Sequence, residues 1–164
     1  MSLDTFLRIP ILIMPVPVAE TIANLAYQRV MVRHPSLFER LESYRDRMFC
    51  FVATDWSIAF LARPSERRIA VRRLPVGEAV DVRVEAPFGV LLRLLQGDVD
   101  GDALFFSRDI DVTGDMEALL ALRNSLDDAH VDLVGDILGT GNPLEPLVRA
   151  MIEHRHRAAS KGAG

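Results

Sequence analysis

Three short β-rich runs follow one another along this chain, and they constrain its fold more than any other feature. They cover residues 47–54, 57–63 and 67–73. Asp55 separates the first two runs, and a Pro-Ser-Glu turn separates the second from the third. Runs this close in sequence are predicted to pair through short turns, so the centre of the chain should form a meander of three strands.

A fourth run, AVDVRVEA at residues 79–86, alternates apolar and charged residues. Alternation of this kind sends the valines to one face of a strand and the charged residues to the other. The apolar face is expected to meet a core and the charged face to meet water. We therefore predict a sheet that is covered on one side.

Helical patterns surround these strands. Apolar residues at helical spacing predict a helix over 18–30, a short helix after Pro35, a buried helix from Pro87 to Gly97, a helix from Met116 and a last helix from Pro143. This order predicts an α+β fold with a mainly antiparallel five-stranded sheet, covered on one face by helices.

Composition predicts one compact domain in a reducing compartment. The chain has 164 residues, 49% of them hydrophobic, which suits a single domain over 18–157 between an N-terminal arm, 1–17, and a flexible tail, 158–164. Its formal charge of −4 argues against nucleic acid as a partner. Cys50 is the single cysteine, so no internal disulfide is expected. The expected location is the cytoplasm, with peripheral contact with the inner membrane left open.

The stretch DIDVTGD resembles a calcium loop in its spacing. Asp109 and Asp111 would be ligands and Gly114 the turn glycine, but a loop that begins at Asp109 needs an acidic ligand at its twelfth position, which is Leu120. We therefore predict that this stretch is the last strand of the sheet. Gly114 would then form a sharp turn, and Asp115 would cap the next helix.

Catalytic, metal-binding and cofactor-binding patterns are not recognisable in the sequence. His154 and His156 are two residues apart and would project to different sides of a helix, which does not suit a shared metal. Cys50 lies in an apolar strand and is interpreted as a small buried hydrophobic residue. The expectation is a protein that is not an enzyme and uses no cofactor.

Two surface segments each allow two interpretations. The N-terminal arm contains the apolar residues Ile11, Leu12, Ile13 and Met14, which either pack on the domain or contact a membrane. The arginine-rich run RRIAVRR, residues 67–73, either protects an edge strand from aggregation or contacts anionic headgroups. The sequence does not decide between these alternatives.

The segment DALFFSRDIDVTGDMEALLALRNSLDDAHVDL resembles the most characteristic part of the sterol-carrier-protein (type two) lipid-binding family. The shared features are a phenylalanine pair, a last strand, a Gly-Asp turn and a helix that ends in Asn-Ser-Leu-Asp. The proline-punctuated stretch PILIMPVPVAETIANLAYQ is similar to the start of the UbiT-like group of ubiquinone-biosynthesis accessory factors within that family.

This resemblance implies a non-enzymatic carrier with an apolar cavity between the sheet and the helices. For the UbiT-like group it implies a polyprenylated quinone precursor as ligand, held for hydroxylases that act without oxygen; a phospholipid is also compatible. The implied partners are UbiU and UbiV-like iron–sulfur proteins, whose clusters would be their own, because one cysteine cannot hold a cluster.

The apolar side chains near the predicted final strand are candidates for the cavity wall. They are Phe88, Leu91, Leu92, Leu95, Leu104, Phe105, Phe106, Met116, Leu119 and Leu120. Ordinary core packing is the alternative for each of them. A general lipid or fatty-acyl carrier and a lipid-free scaffolding module are the alternative functions.

Overall fold

The computed structural model describes residues 15–96 and 108–138. In this part of the chain the helices are α1 (Val16–Arg33), α2 (Ser36–Arg40), α3 (Phe88–Leu95), α4 (Met116–Asp128) and α5 (Leu133–Leu138). The strands are β1 (Phe49–Ala53), β2 (Ile58–Arg63), β3 (Arg68–Arg73), β4 (Val82–Ala86) and β5 (Asp111–Gly114). The predicted strands and the first four predicted helices are thus confirmed. Helix α5 was not predicted, and the predicted last helix lies outside the described residues.

The five strands form one sheet in the order β3-β2-β1-β4-β5. Only β1 and β4 run parallel, with Phe49 beside Val82, and the other three neighbouring pairs are antiparallel. The predicted α+β fold with a mainly antiparallel five-stranded sheet is confirmed. Strand β4 lies on the side of β1 that faces away from β2, so β4 and β5 extend the β1–β2–β3 meander to a sheet of five strands.

The helices cover one face of the sheet, as the alternation of residues predicts. Phe49, Phe51 and Ala53 of β1 and Val82 and Val84 of β4 are buried on this face. The opposite face was expected to meet water, and this is wrong at its centre. There Cys50 and its apolar neighbours form a second buried cluster, against which Leu74, Val76 and Val80 of the β3–β4 connection pack. Three apolar residues of one loop thus cover a part of the sheet face on which, within residues 15–96 and 108–138, no helix packs.

The structure of the final strand, β5, decides between a calcium loop and a strand for the acidic stretch DIDVTGD. Asp109 and Asp111 are exposed, whereas Ile110 and Val112 pack against the core. The Asp115 carboxylate accepts a hydrogen bond from the Ala118 N–H at 3.0 Å and caps α4. The strand and the cap are therefore as predicted, and among residues 15–96 and 108–138 no cluster of histidine, cysteine or acidic side chains is arranged to hold a metal ion.

Helix α1 closes the outer edge of the sheet with polar side chains rather than with another strand. The Val71 N–H donates to the Glu20 carboxylate at 2.9 Å, and the Gln28 amide donates to the Arg67 carbonyl at 3.1 Å. Between them, Asn24 exchanges two hydrogen bonds with the Ile69 backbone, at 2.7 and 2.9 Å. Edge groups that would otherwise be free to pair with another chain are thus satisfied.

This pairing works because helical and strand spacings nearly coincide. Glu20, Asn24 and Gln28 are four residues apart, a helical rise of about 6 Å, while alternate residues of a strand are about 6.7 Å apart. Three side chains on one stripe of α1 can therefore reach two backbone positions of the β3 edge and one at Arg67, the residue before the strand. The helix is anchored by hydrogen bonds along its length.

We predict that Asn24→Ala lowers the free energy of unfolding by about 1–3 kcal/mol, because two hydrogen bonds to the strand are lost at once. Urea denaturation measures the change. The matched control is Asn124→Ala, which makes the same substitution at an exposed position of α4 and should change stability by less than about 0.5 kcal/mol. Equal effects of the two substitutions would contradict the anchoring role.

Candidate functional site

An apolar cavity of about 330 Å³ lies between the helix-covered face of the sheet and helices α1 to α5. The sheet contributes five of the lining residues, namely Phe49, Phe51, Phe60, Ala62 and Ile69. The remaining lining residues are Ala19, Ile22, Ala23, Ala26, Tyr27, Val30, Leu37, Phe38, Leu41, Trp56, Pro64, Phe88, Leu91, Leu92, Leu95, Leu122, Leu126 and Leu133. Such a volume is within the range of small-molecule sites, which is roughly 300–1,000 Å³.

Three of the six residues of α1 that line the cavity are alanines, and the other three are Ile22, Tyr27 and Val30. Ala19, Ala23 and Ala26 lie on one side of the helix and line the cavity. Side chains this small cannot fill the space between helix and sheet. The helix does not collapse onto the sheet because the hydrogen bonds of its neighbouring polar stripe hold it at the β3 edge. Two adjacent stripes of α1 therefore account for the open volume. The alanines leave space, and the polar side chains hold the helix at the β3 edge.

Aromatic side chains give the cavity wall its shape. Trp56 stacks on Phe88 with ring centroids 3.8 Å apart and an angle of 22° between the ring planes, and Phe60 lies 6.0 Å from Phe88. Tyr27 meets Phe38 edge to face at 5.8 Å. Aromatic pairs in these geometries are favourable beyond the area they bury, so the wall is preorganised.

Polar chemistry is almost absent from the wall. Of the lining side chains in the part of the chain that the structure describes, only those of Tyr27 and Trp56 contain a nitrogen or oxygen atom. Burial raises the pKa of the Tyr27 hydroxyl to about 12, and the nearby positive charge of Arg67 offsets only part of this rise. A wall of this composition can desolvate a hydrocarbon, and its described residues include no carboxylate or imidazole for acid–base chemistry.

Cys50 lies apart from this cavity. It is fully buried on the opposite face of the sheet, and burial is the main cause that raises the pKa of its thiol. The interpretation of Cys50 as a buried hydrophobic residue is confirmed. A thiol with a raised pKa on the far side of the sheet cannot act on a molecule in the cavity.

Some of the residues predicted for the wall lie in it and others do not. Phe88, Leu91, Leu92 and Leu95, all from α3, line the cavity. Leu104, Phe105 and Phe106 lie outside the described residues, as do the proposed membrane-contact residues Ile11, Leu12, Ile13 and Met14.

The first turns of α4 do not contribute to the wall. Met116 and Leu120 are 44% and 46% exposed, and Leu119 is buried in the core among strand residues. Leu122 and Leu126, farther along the same helix, line the cavity instead. The helix begins beside β4, at the far side of the sheet from α1, so only its second half passes over the cavity.

Sequence reasoning missed the contribution of α1 and of the meander. Phe49, Phe51 and Phe60 line the cavity, and the alternation of Phe49 and Phe51 already placed them on one face. The helical spacing of Ile22, Ala26 and Val30 likewise indicated one face of α1. These signals identified inward-facing residues, but an inward-facing residue looks the same in sequence whether it meets a core or a cavity.

Within residues 15–96 and 108–138, no helix is both long enough and apolar enough to cross a bilayer.

Comparisons with known proteins agree with this geometry. The sequence pattern of the SCP-2 sterol transfer family matches residues 27–127. A solved structure described as "UbiJ-SCP2 Ubiquinone synthesis protein" superposes with a TM-score of 0.53 at 21% identity, covering 70% of this chain and 94% of that one. No curated protein matches the sequence.

Two further sterol carrier structures superpose less closely. The sterol carrier protein domain 2 of Helicoverpa armigera gives a TM-score of 0.42 at 18% identity, covering 62% of this chain and 88% of that one. Sterol Carrier Protein 2 from Yarrowia lipolytica, in its apo form, gives 0.46 at 10% identity, covering 71% and 93% of the two chains.

Proposed function

The chain belongs to the SCP-2 sterol transfer family, a family of lipid-binding domains, and we propose that it is a non-catalytic accessory factor of ubiquinone biosynthesis. In this role it holds a polyprenylated quinone precursor in its apolar cavity and presents it to hydroxylases. The observation that carries the proposal is the cavity of about 330 Å³ between the sheet and the helices.

The physical basis for lipid binding is the area that the wall removes from water. Burial of one methylene contributes about 0.8 kcal/mol, so a sixteen-carbon chain gives roughly 12 kcal/mol before the costs of ordering. A hydrocarbon therefore needs no charged contact to bind well. The length of the chain and the chemistry of its head would set selectivity.

Two observations support a quinone precursor in particular. The proline-punctuated stretch PILIMPVPVAETIANLAYQ and the DALFF motif at residues 102–106 resemble the UbiT-like accessory factors, and the superposed UbiJ structure is described as a ubiquinone synthesis protein. By the same resemblance, the proposed partners are UbiU and UbiV-like hydroxylases of an oxygen-independent pathway. Contact with the membrane surface through Ile11, Leu12, Ile13 and Met14 is part of this proposal.

Mass spectrometry of lipid extracted from the purified full-length protein tests the function. The expected result is enrichment of prenylated quinone precursors relative to the total membrane lipid of the same cells, which serves as the control. Phospholipid alone, without enrichment of isoprenoids, would instead indicate a general lipid carrier. If the protein contains no lipid and binds no fluorescent lipid, the lipid-free scaffolding module is the function that remains.

A further inference from the structure

Exposed hydrophobic side chains are concentrated on one helix. Among the described residues, six large hydrophobic side chains are exposed, and four of them, Val18, Ile22, Leu25 and Val32, lie on α1. Together with the exposed Arg29 they follow one another at steps of four and three residues, which places all five on one stripe of the helix. We call these five residues the outer stripe. An apolar stripe that faces water on a helix of a compact domain marks a surface for a partner.

The outer stripe reaches the cavity at Ile22. This side chain lines the cavity and is 47% exposed, whereas the other lining residues in the described part of the chain are buried or half-buried. The cavity wall therefore meets the solvent at Ile22. A lipid chain that passes this residue moves directly from the apolar stripe into the apolar cavity.

Arginine side chains lie beside α1, along the β3 edge. The run at residues 67–73 contains four arginines and no acidic residue, in a chain whose formal charge is −4. The sequence allowed two explanations for this run, edge protection and contact with anionic headgroups. Hydrogen bonds with Glu20, Asn24 and Gln28 already satisfy backbone groups along this edge, so charge is not needed to protect them. Contact with an anionic surface is the explanation that remains.

The charges of this face favour an anionic bilayer over a second copy of the chain. Three acids, Glu20, Glu66 and Glu78, pair with arginines of the run, which leaves a surplus of positive charge once Arg29 is included. In a symmetric dimer through this face the surplus would meet itself. An anionic bilayer instead supplies headgroups for the arginines and an apolar interior for the stripe.

We propose that the outer stripe of α1 and the arginines of the β3 edge form a docking surface for an anionic membrane. With α1 lying on the bilayer, a lipid chain enters the cavity past Ile22 without crossing water. This inference rests on the proposed lipid-binding function. It adds the side of the domain that faces the membrane and the route by which the cavity is loaded.

Sedimentation of the full-length protein with vesicles tests the docking surface. The vesicles contain phosphatidylcholine alone or phosphatidylcholine mixed with phosphatidylglycerol. The wild type should bind the anionic vesicles more tightly, and added salt should weaken this binding. Leu25→Glu should lower the partition coefficient for anionic vesicles about tenfold or more, because it replaces an inserted apolar side chain by a charge of the same sign as the lipid.

Leu120→Glu is the matched control for this variant. Leu120 is 46% exposed and lies on α4 rather than on α1. The substitution makes the same change in net charge as Leu25→Glu, so it should leave vesicle binding close to that of the wild type. Thermal melting confirms that both variants are folded.

A pair of arginine variants tests the contribution of charge. Arg68→Gln should weaken binding to anionic vesicles about fivefold, the effect of one basic residue near such a surface, and should leave binding to neutral vesicles unchanged. Arg108→Gln is its control, since Arg108 is exposed beside β5, at the opposite edge of the sheet from β3. It should bind both kinds of vesicle as the wild type does.

Transfer of a fluorescent fatty acid from anionic vesicles to the protein tests the route. Ile22→Trp, which narrows the opening, should slow the transfer, while the protein still sediments with the vesicles because an indole ring favours the membrane interface. Leu25→Glu should slow the transfer as well, yet bind the soluble fatty acid with wild-type affinity, because Leu25 does not line the cavity. Transfer to Ile22→Trp at the wild-type rate would contradict entry past this residue.

Several results would overturn the docking surface. Equal binding of the wild type to both kinds of vesicle, or equal losses in Leu25→Glu and Leu120→Glu, would exclude a specific face. Unchanged binding of Leu25→Glu would place the membrane contact elsewhere, as on the N-terminal arm. A wild type that binds no vesicle would mean that something else covers the outer stripe, such as an acidic helix of a partner protein. In each of these cases binding of a soluble fatty acid survives, whereas a wild type that binds no fatty acid would contradict the proposed function itself.

Discussion

Replacement of Gly114 by alanine is expected to lower the free energy of unfolding by about 3–5 kcal/mol, the combined cost of a strained backbone and of overpacking. Gly114 has a φ of +98°, and a Cβ atom added there would lie 2.1 Å from the Asp81 carbonyl oxygen. That oxygen already accepts the Asp115 N–H at 2.8 Å. The backbone must therefore move where the start of β4 meets the end of β5, at the point where α4 begins.

Urea denaturation and thermal melting measure this effect. For a chain of this length a loss of this size corresponds to a fall in melting temperature of roughly 10 °C. Gly89→Ala is the matched control, since Gly89 lies within α3 and a Cβ there would meet nothing within 4 Å. Alanine should stabilise that helix by up to about 1 kcal/mol. A Gly114→Ala protein as stable as the wild type would show that the β5–α4 turn tolerates a side chain.

The sequence was most informative where a local pattern determines a local structure. The alternation in AVDVRVEA gave β4 with Val82 and Val84 inward, and the spacing of Gly114 and Asp115 gave a turn followed by a helix cap. In both cases the physical cause lies within a few residues. The second apolar cluster around Cys50 depends instead on the path of the 74–80 connection, which no local pattern specifies.

The cavity could be predicted only in part for a similar reason. The four lining residues of α3 belong to one strongly apolar segment, so they were found. Met116 and Leu120 share an apolar stripe with Leu119, but their exposure depends on where α4 crosses the sheet, which is a tertiary property. The role of α1 was hidden because its alanines resemble ordinary helix formers, and an empty volume leaves no periodic signal.

The last prediction concerns the space between α1 and the sheet. Ala26→Trp is expected to lower the affinity for a fluorescent fatty acid at least tenfold, because Ala26 lines the cavity and an indole ring would occupy a large part of its 330 Å³. The loss corresponds to about 1.4 kcal/mol or more of binding free energy. The large side chain enters existing space, so the cost in stability should be smaller than for a substitution in the packed core.

Leu25→Trp is the matched control for this variant. Leu25 is the preceding residue of α1 and is 59% exposed, and it does not line the cavity. The Leu25→Trp protein should bind the fatty acid as tightly as the wild type does. Titration of both variants, with thermal melting to confirm that each is folded, separates the effect of filling the cavity from the effect of adding a tryptophan to α1. If Ala26→Trp binds with unchanged affinity, the lipid does not occupy the space between α1 and the sheet, and binding would have to be sought on another surface of the domain.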